Sequence, residues 1–130
     1  MIRQELQITA EPSRLGEVRN FADAIGMACG LDAAARYELK LALTEAVTNA
    51  VRHGSRSAAD LVELSVEKGD EGISFSVRDR GRFSRRSTGG GPMAERGRGL
   101  EIMERLSDEL DIEPSPAGTE VRLSRRLAAA

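Results

Sequence analysis

The chain has 130 residues, with 19 Lys and Arg against 21 Asp and Glu, so one domain with one core fits it and an overall basic nucleic-acid binder is excluded. A single cysteine, Cys29, excludes an intramolecular disulfide and any all-cysteine metal cluster, and a small core role suits it. The few aromatics (Phe21, Tyr37, Phe75, Phe83) give no stacking platform for nucleic acid, no apolar run is long enough for a membrane, and MIRQELQITAEP lacks a signal peptide's apolar block, so a cytoplasmic protein without a membrane partner is expected.

Residues 2–9 read as a strand, because Ile2, Leu6 and Ile8 share one parity, with Gln4 as the polar exception. A helix follows Pro12 and Ser13, its apolar positions being Leu15, Val18, Phe21, Ala22, Ile25 and Ala28. Gly16 and Gly26 weaken it unless the backbone packs closely there. Gly30 should end it, and Asp32 is a good N-cap for the next helix.

That second helix, within Asp32 to Gly54, carries Leu39, Ala42 and Ala46 on a core face. A neighbouring stripe holds Glu38, Leu41, Glu45, Asn49 and His53, so Glu45 and Asn49 sit one turn apart. A carboxylate one turn from an amide can build a metal-and-water site: a hard divalent cation takes oxygen ligands, and a carboxylate can deprotonate a nucleophile. Taken alone, the stretch reads equally well as an amphipathic surface helix with Glu45 and Asn49 in solvent.

Gly54 to Asp60 is a polar turn. Val62, Leu64 and Val66 alternate with polar residues, and Gly69-Asp70-Glu71-Gly72 connects them to Ile73, Phe75 and Val77 as an antiparallel hairpin. Residues 82–98 then place Arg82, Arg85, Arg86, Arg96 and Arg98 against Glu95 alone, together with Gly89-Gly90-Gly91 and Pro92. A mobile, positively charged loop is expected, suited to polyphosphate or simply to solvent. Helical periodicity returns with Leu100, Met103, Leu106 and Leu110 after Gly97-Arg98-Gly99, where close backbone approach and free first-turn amides favour phosphate. Asp111 to Ser115 forms a short strand, Pro116-Ala117-Gly118 a turn, and Thr119, Val121 and Leu123 a last strand. The expected fold is an α/β two-layer sandwich, a mixed β-sheet with helices on one face, in a single domain over 1–130.

With these elements in place, the chain resembles the ATP-binding domain shared by gyrase-type ATPases, Hsp90-like chaperones and sensor histidine kinases. Within that superfamily it is most similar to the small bacterial anti-sigma factor serine/threonine kinases. Glu45-Ala46-Val47-Thr48-Asn49-Ala50-Val51-Arg52-His53-Gly54 matches the ATP-and-magnesium helix, and Arg78-Asp79-Arg80-Gly81 matches the adenine-binding turn. Gly97-Arg98-Gly99-Leu100-Glu101-Ile102-Met103 matches the glycine box, and Gly118-Thr119-Glu120-Val121 the closing strand. Four motifs in order carry a specificity that none has alone.

The resemblance implies ATP and Mg²⁺ as cofactors, with Glu45 as general base toward the attacking hydroxyl and Asn49 as the metal ligand. It implies that Asp79 accepts from the adenine amine, that Thr119 supports the same end of the base, and that Gly81 gives the ring space. Gly97, Arg98, Gly99 and Leu100 would meet the phosphates, and Arg96 is the nearer match to the family's γ-phosphate arginine, one residue short in spacing. His53 suits either a ligand contact or a dipole role at the helix end. Two departures stand out: Phe83 replaces a small residue after the adenine turn, and the lid is short with a triple glycine. Phe83 could pack over the nucleotide or narrow its pocket.

The function implied is an anti-sigma factor that is also a protein serine/threonine kinase. Its partners would be an alternative sigma factor and an anti-sigma factor antagonist of the sulfate-transporter-and-antagonist type, the latter its phosphoacceptor. Relatives commonly form homodimers, and the apolar side of the first strand and helix would offer a surface for one. The alternative is a partner-switching module without kinase activity, which Phe83 and the short lid favour. A phosphorelay catalytic domain lacks support, since His53 is the only histidine, and a hydrolytic motor would need a transducer domain.

Overall fold

A computed structural model of the chain describes residues 2–54, 57, 59–79, 101–115 and 118–126, with only the backbone at 53, 54, 114 and 115. Strand β1 (Ile2–Thr9) leads through a 3-10 turn at Pro12–Arg14 into α1 (Leu15–Ala28) and then α2 (Ala33–Asn49). Strands β2 (Leu61–Lys68) and β3 (Gly72–Asp79) form a hairpin; α3 (residues 101–106) precedes β4 (Glu109–Ser115) and β5 (Gly118–Arg126).

The strands form one sheet in the order β1-β2-β3-β5-β4, and its four pairings are all antiparallel. The two-layer sandwich is as expected; the expected mixed sheet is antiparallel at each neighbouring pair for a topological reason. β3 and β4 run parallel, but β5 lies between them and opposes both. Ile8, Val62, Leu64, Val66, Ile73, Phe75, Val77 and Leu123 point from the sheet into the core. Val18, Ala22 and Ile25 of α1, Leu39, Ala42, Leu43, Ala46 and Val47 of α2, and Met103 of α3 close it from above. Ala28, at the end of the α1 repeat, is exposed.

The helix boundaries follow from local chemistry. At the end of α1, Gly30 takes φ 70°, and the Gly30 and Leu31 amides donate to the Met27 and Gly26 carbonyls, so the freed carbonyls are satisfied by a left-handed cap. The Asp32 carboxylate then accepts from the Ala35 amide at 2.8 Å, a cap worth about 1 kcal/mol. Gly26 is buried where a Cβ would lie 2.7 Å from Arg36 Cγ, which explains a glycine inside α1.

The third helix is shorter than its apolar spacing suggests. It ends at residue 106, and Leu110 belongs to β4, opposite Leu123. Ser107 Oγ turns back onto the Met103 carbonyl, and the Asp108 amide donates to the Ser124 carbonyl, drawing the chain into the sheet. β4 accordingly begins at Glu109 rather than Asp111.

Candidate functional site

Helix α2 starts beside the beginning of β3, and the turn that ends it touches β3 and β5, so the two elements run in the same direction. Near the start of α2, Ala35, Glu38, Leu39 and Ala42 line a crevice with Ile73, Phe75, Leu123 and Arg125. There Arg125 of β5 pairs with Glu38 at 3.1 Å and fixes α2 against the sheet. From that end, α2 rises about 1.5 Å per residue and β3 about 3.4 Å, so Asn49 and Asp79 reach similar heights. Consistently, the turn Ala50–Gly54 that ends α2 touches both β3 and β5.

At this end Asp79, the last residue of β3, stands opposite Thr119 of β5. Asp79 is 5% exposed and Thr119 4%, the two buried polar or charged residues among those described. The Thr119 backbone amide donates to Asp79 Oδ1 at 3.3 Å. Thr119 Oγ1 is itself buried with no hydrogen-bond partner among the described residues. A buried hydroxyl without a partner is costly, and its place beside a carboxylate fits a ligand edge that offers both a donor and an acceptor. An adenine edge has that pattern.

Glu45 and Asn49 lie half-buried on α2, on the Glu38 stripe and next to the fully buried Ala46 and Val47. Their carboxylate and amide oxygens are hard donors suited to Mg²⁺ and a hydroxyl nucleophile, and one amide oxygen is the kind of sparse protein ligation Mg²⁺ accepts. No group of three or more His, Cys, Asp or Glu that could hold a metal occurs among the described residues.

The last turn of the α2 region, Ala50–Gly54, is wound as a π-helix. Nothing in Ala-Val-Arg-His-Gly signalled it, although π-turns recur at functional sites. His53 lies in this turn, its side chain outside the described residues. Gly81, Arg96, Gly97, Arg98, Gly99 and Leu100, with Phe83 and the 82–98 loop, also lie outside the described residues. The structure pairs Asp79 with Thr119 and sets the turn that follows Asn49 against the two strands that carry them, while Glu45 lies one helical turn before Asn49. Sequence reading missed a second buried hydroxyl without a hydrogen-bond partner among the described residues, Thr44 Oγ1, one residue before Glu45.

The outer face of the sheet is polar. Arg78 Nη2 donates to Glu120 Oε2 at 2.8 Å and Arg122 Nε to Oε1 at 2.7 Å. Chiefly through the Arg78 hydrogen bond, this holds the Glu120 carboxyl below its ordinary range. Glu120 thus faces away from the Asp79–Thr119 pair and anchors β3 to β5 beneath it. Cys29 is half-buried, and burial pushes its thiol up. No helix among the described residues is long and apolar enough to cross a membrane.

Residues 8–125 match the family described as the histidine kinase-like ATPase domain. Serine-protein kinase RsbW of Bacillus licheniformis is 31% identical over 84% of this chain and 76% of its own length. Anti-sigma F factor of Bacillus subtilis is 33% identical over 70% of this chain and 69% of its own. The RsbU and RsbW domains of Rv1364c from Mycobacterium tuberculosis share the fold, with TM-score 0.77 and 24% identity over 98% of this chain, which spans 33% of that structure.

Proposed function

Because the chain belongs to the histidine kinase-like ATPase domain family and is homologous to RsbW and anti-sigma F factor proteins, we propose that it is an ATP-dependent protein serine/threonine kinase acting by partner switching. It holds an alternative sigma factor and phosphorylates a serine or threonine of an anti-sigma factor antagonist of the sulfate-transporter-and-antagonist type. The observation that supports this most directly is the Asp79–Thr119 pair, a buried carboxylate beside a buried hydroxyl that has no hydrogen-bond partner among the described residues.

In this reading Asp79 accepts from the adenine amine and Thr119 Oγ1 meets the neighbouring ring nitrogen, directly or through water. Asn49 ligates Mg²⁺ through its amide oxygen, and Mg²⁺ when bound neutralises phosphate charge. Glu45 takes the proton of the acceptor hydroxyl as its oxygen bonds to the γ-phosphorus and the bond to the ADP oxygen breaks. Gly97, Gly99 and Leu100 offer backbone amides to the phosphates, and Arg96 and Arg98 offer charge to the transferring group. Phosphate on the antagonist weakens its binding by adding charge at the interface.

The test is transfer of labelled γ-phosphate to a purified antagonist. Glu45→Ala should abolish transfer and keep nucleotide binding. Transfer at the wild-type rate in Glu45→Ala would remove Glu45 as base. Tight partner binding with no transfer by the wild type would favour the non-kinase module, the reading Phe83 and the triple glycine support.

A further inference from the structure

We propose that the end of the sheet opposite Asp79 and Thr119 is a peptide-docking surface, which takes a partner segment carrying one aliphatic anchor flanked by lysine or arginine. Two cavities adjoin there. The first is the crevice between the start of α2 and the sheet, lined by Leu31, Leu39, Ile73, Phe75, Leu106 and Leu123, with Glu38 and Arg125 as its charged members. It leaves a void of about 20 Å³, which suits one small apolar group better than a water that would find few polar partners. The second is a more open cavity of about 300 Å³ between the β2–β3 hairpin and the start of β4. Ile73 and Arg125 line both, so the apolar crevice lies directly beside the polar cavity.

The charges around the larger cavity select the occupant. Glu67, Glu71, Asp108 and Glu109 line it, against Arg125 and Arg126. Arg125 is held by Glu38 at 3.1 Å, on the crevice side, and Glu67 is held by Arg3 at 3.2 Å. Three carboxylates then stand against one guanidinium. Asp108 accepts from the Arg126 amide at 2.6 Å, whereas Glu71 and Glu109 have no ion pair among the described residues. A cation placed here gains two uncommitted carboxylates, and an anion meets net repulsion. Ser74 and Ser124, opposite each other on β3 and β5, add hydroxyls that both donate and accept, as a bound peptide backbone requires.

Together these features set the size and order of the ligand. The small void takes the tip of a leucine, isoleucine or valine and excludes an aromatic ring. An extended chain advances about 3.4 Å per residue, so flexible cationic side chains next to the anchor fall over the adjoining cavity. Ile73 lies near the start of β3 and Asp79 at its end, about 20 Å apart by the rise of a strand. The surface shares no residue with Glu45, Asn49, Asp79 or Thr119, so the proposal stands or falls independently of the kinase reading.

Amide-resolved NMR titration with short synthetic peptides, capped at both ends, tests it without nucleotide. Lys-Lys-Leu-Lys-Lys should bind, shift the amides of Leu31, Ile73, Ser74 and Ser124, and bind more weakly at high salt. Replacing its leucine with alanine, or its lysines with glutamates, should weaken binding about tenfold or more. Two protein variants remove the two halves of the surface. Glu71→Lys combined with Glu109→Lys reverses the uncommitted carboxylates, and Ala35→Leu fills the crevice from α2. Each should weaken binding of the leucine peptide about tenfold or more. Circular dichroism checks that each variant is folded. No amide shifts with the leucine peptide at millimolar concentration, an alanine peptide that binds as tightly, or a folded variant that binds like the wild type would each overturn the proposal.

Discussion

Replacing Thr119 with Val should stabilise the nucleotide-free protein while weakening its nucleotide binding. Thr119 Oγ1 is buried and makes no hydrogen bond among the described residues, while the Thr119 amide keeps its bond to Asp79. Valine fills nearly the same volume and suits β5, so the change removes the desolvated hydroxyl and little else. Leaving such a group unpaired costs about 1–3 kcal/mol, and we expect to recover about 1 kcal/mol, or roughly 3–5 °C in Tm for a domain of this size. Loss of one hydrogen bond to nucleotide should weaken binding about three- to tenfold. Thr44→Val is the control, because Thr44 Oγ1 is likewise buried without a hydrogen-bond partner among the described residues: it should stabilise similarly and leave nucleotide binding unchanged. Urea unfolding without nucleotide and calorimetric titration with it measure the two effects. A Thr119→Val protein that is less stable than wild type, or that binds nucleotide as tightly, would refute the reasoning.

Two further outcomes follow from packing and charge. Gly72→Ala should cost about 2 kcal/mol or more in urea unfolding, because its Cβ would lie 2.3 Å from the Arg125 carbonyl oxygen in the backbone of β5. Gly26→Ala, whose Cβ would meet the root of the Arg36 side chain rather than backbone, should cost less, because Arg36 can shift and alanine favours the helix; a larger loss than for Gly72→Ala would contradict the steric account. The Glu120 pairs should contribute stability fully above the ordinary carboxyl value of 4.5 and lose it as pH falls through the lower folded value. Urea midpoints across acid pH should therefore fall more steeply in wild type than in Glu120→Gln, less so at high salt, and parallel curves would count against the pairing.

Where the structure and the sequence agree, local signals dominate. Alternation marks β1 to β3, and Gly30 followed by Asp32 marks the break between α1 and α2, because left-handed geometry and an N-cap each require particular residues. Leu110 misled because Leu106 and Leu110 are one helical turn apart while Leu110 and Ile112 share strand parity, so both periods fit the same residues. Tertiary contacts decide between them: the Asp108–Ser124 hydrogen bond and the pairing of Leu110 with Leu123 of β5. Asp79 and Thr119 are 40 residues apart, and no spacing rule joins them; the resemblance alone pointed to both. The π-wound turn and the exposure of Gln4 depend on neighbours that sequence periodicity does not specify.

The most direct test of the nucleotide site is calorimetric titration of Mg²⁺-ATP into the wild type and Asn49→Ala in parallel, with and without Mg²⁺. Binding that requires Mg²⁺ and falls sharply in Asn49→Ala is the predicted result. No detectable binding at millimolar nucleotide, confirmed by a second method, would contradict it and leave a binding module built on an ATPase fold.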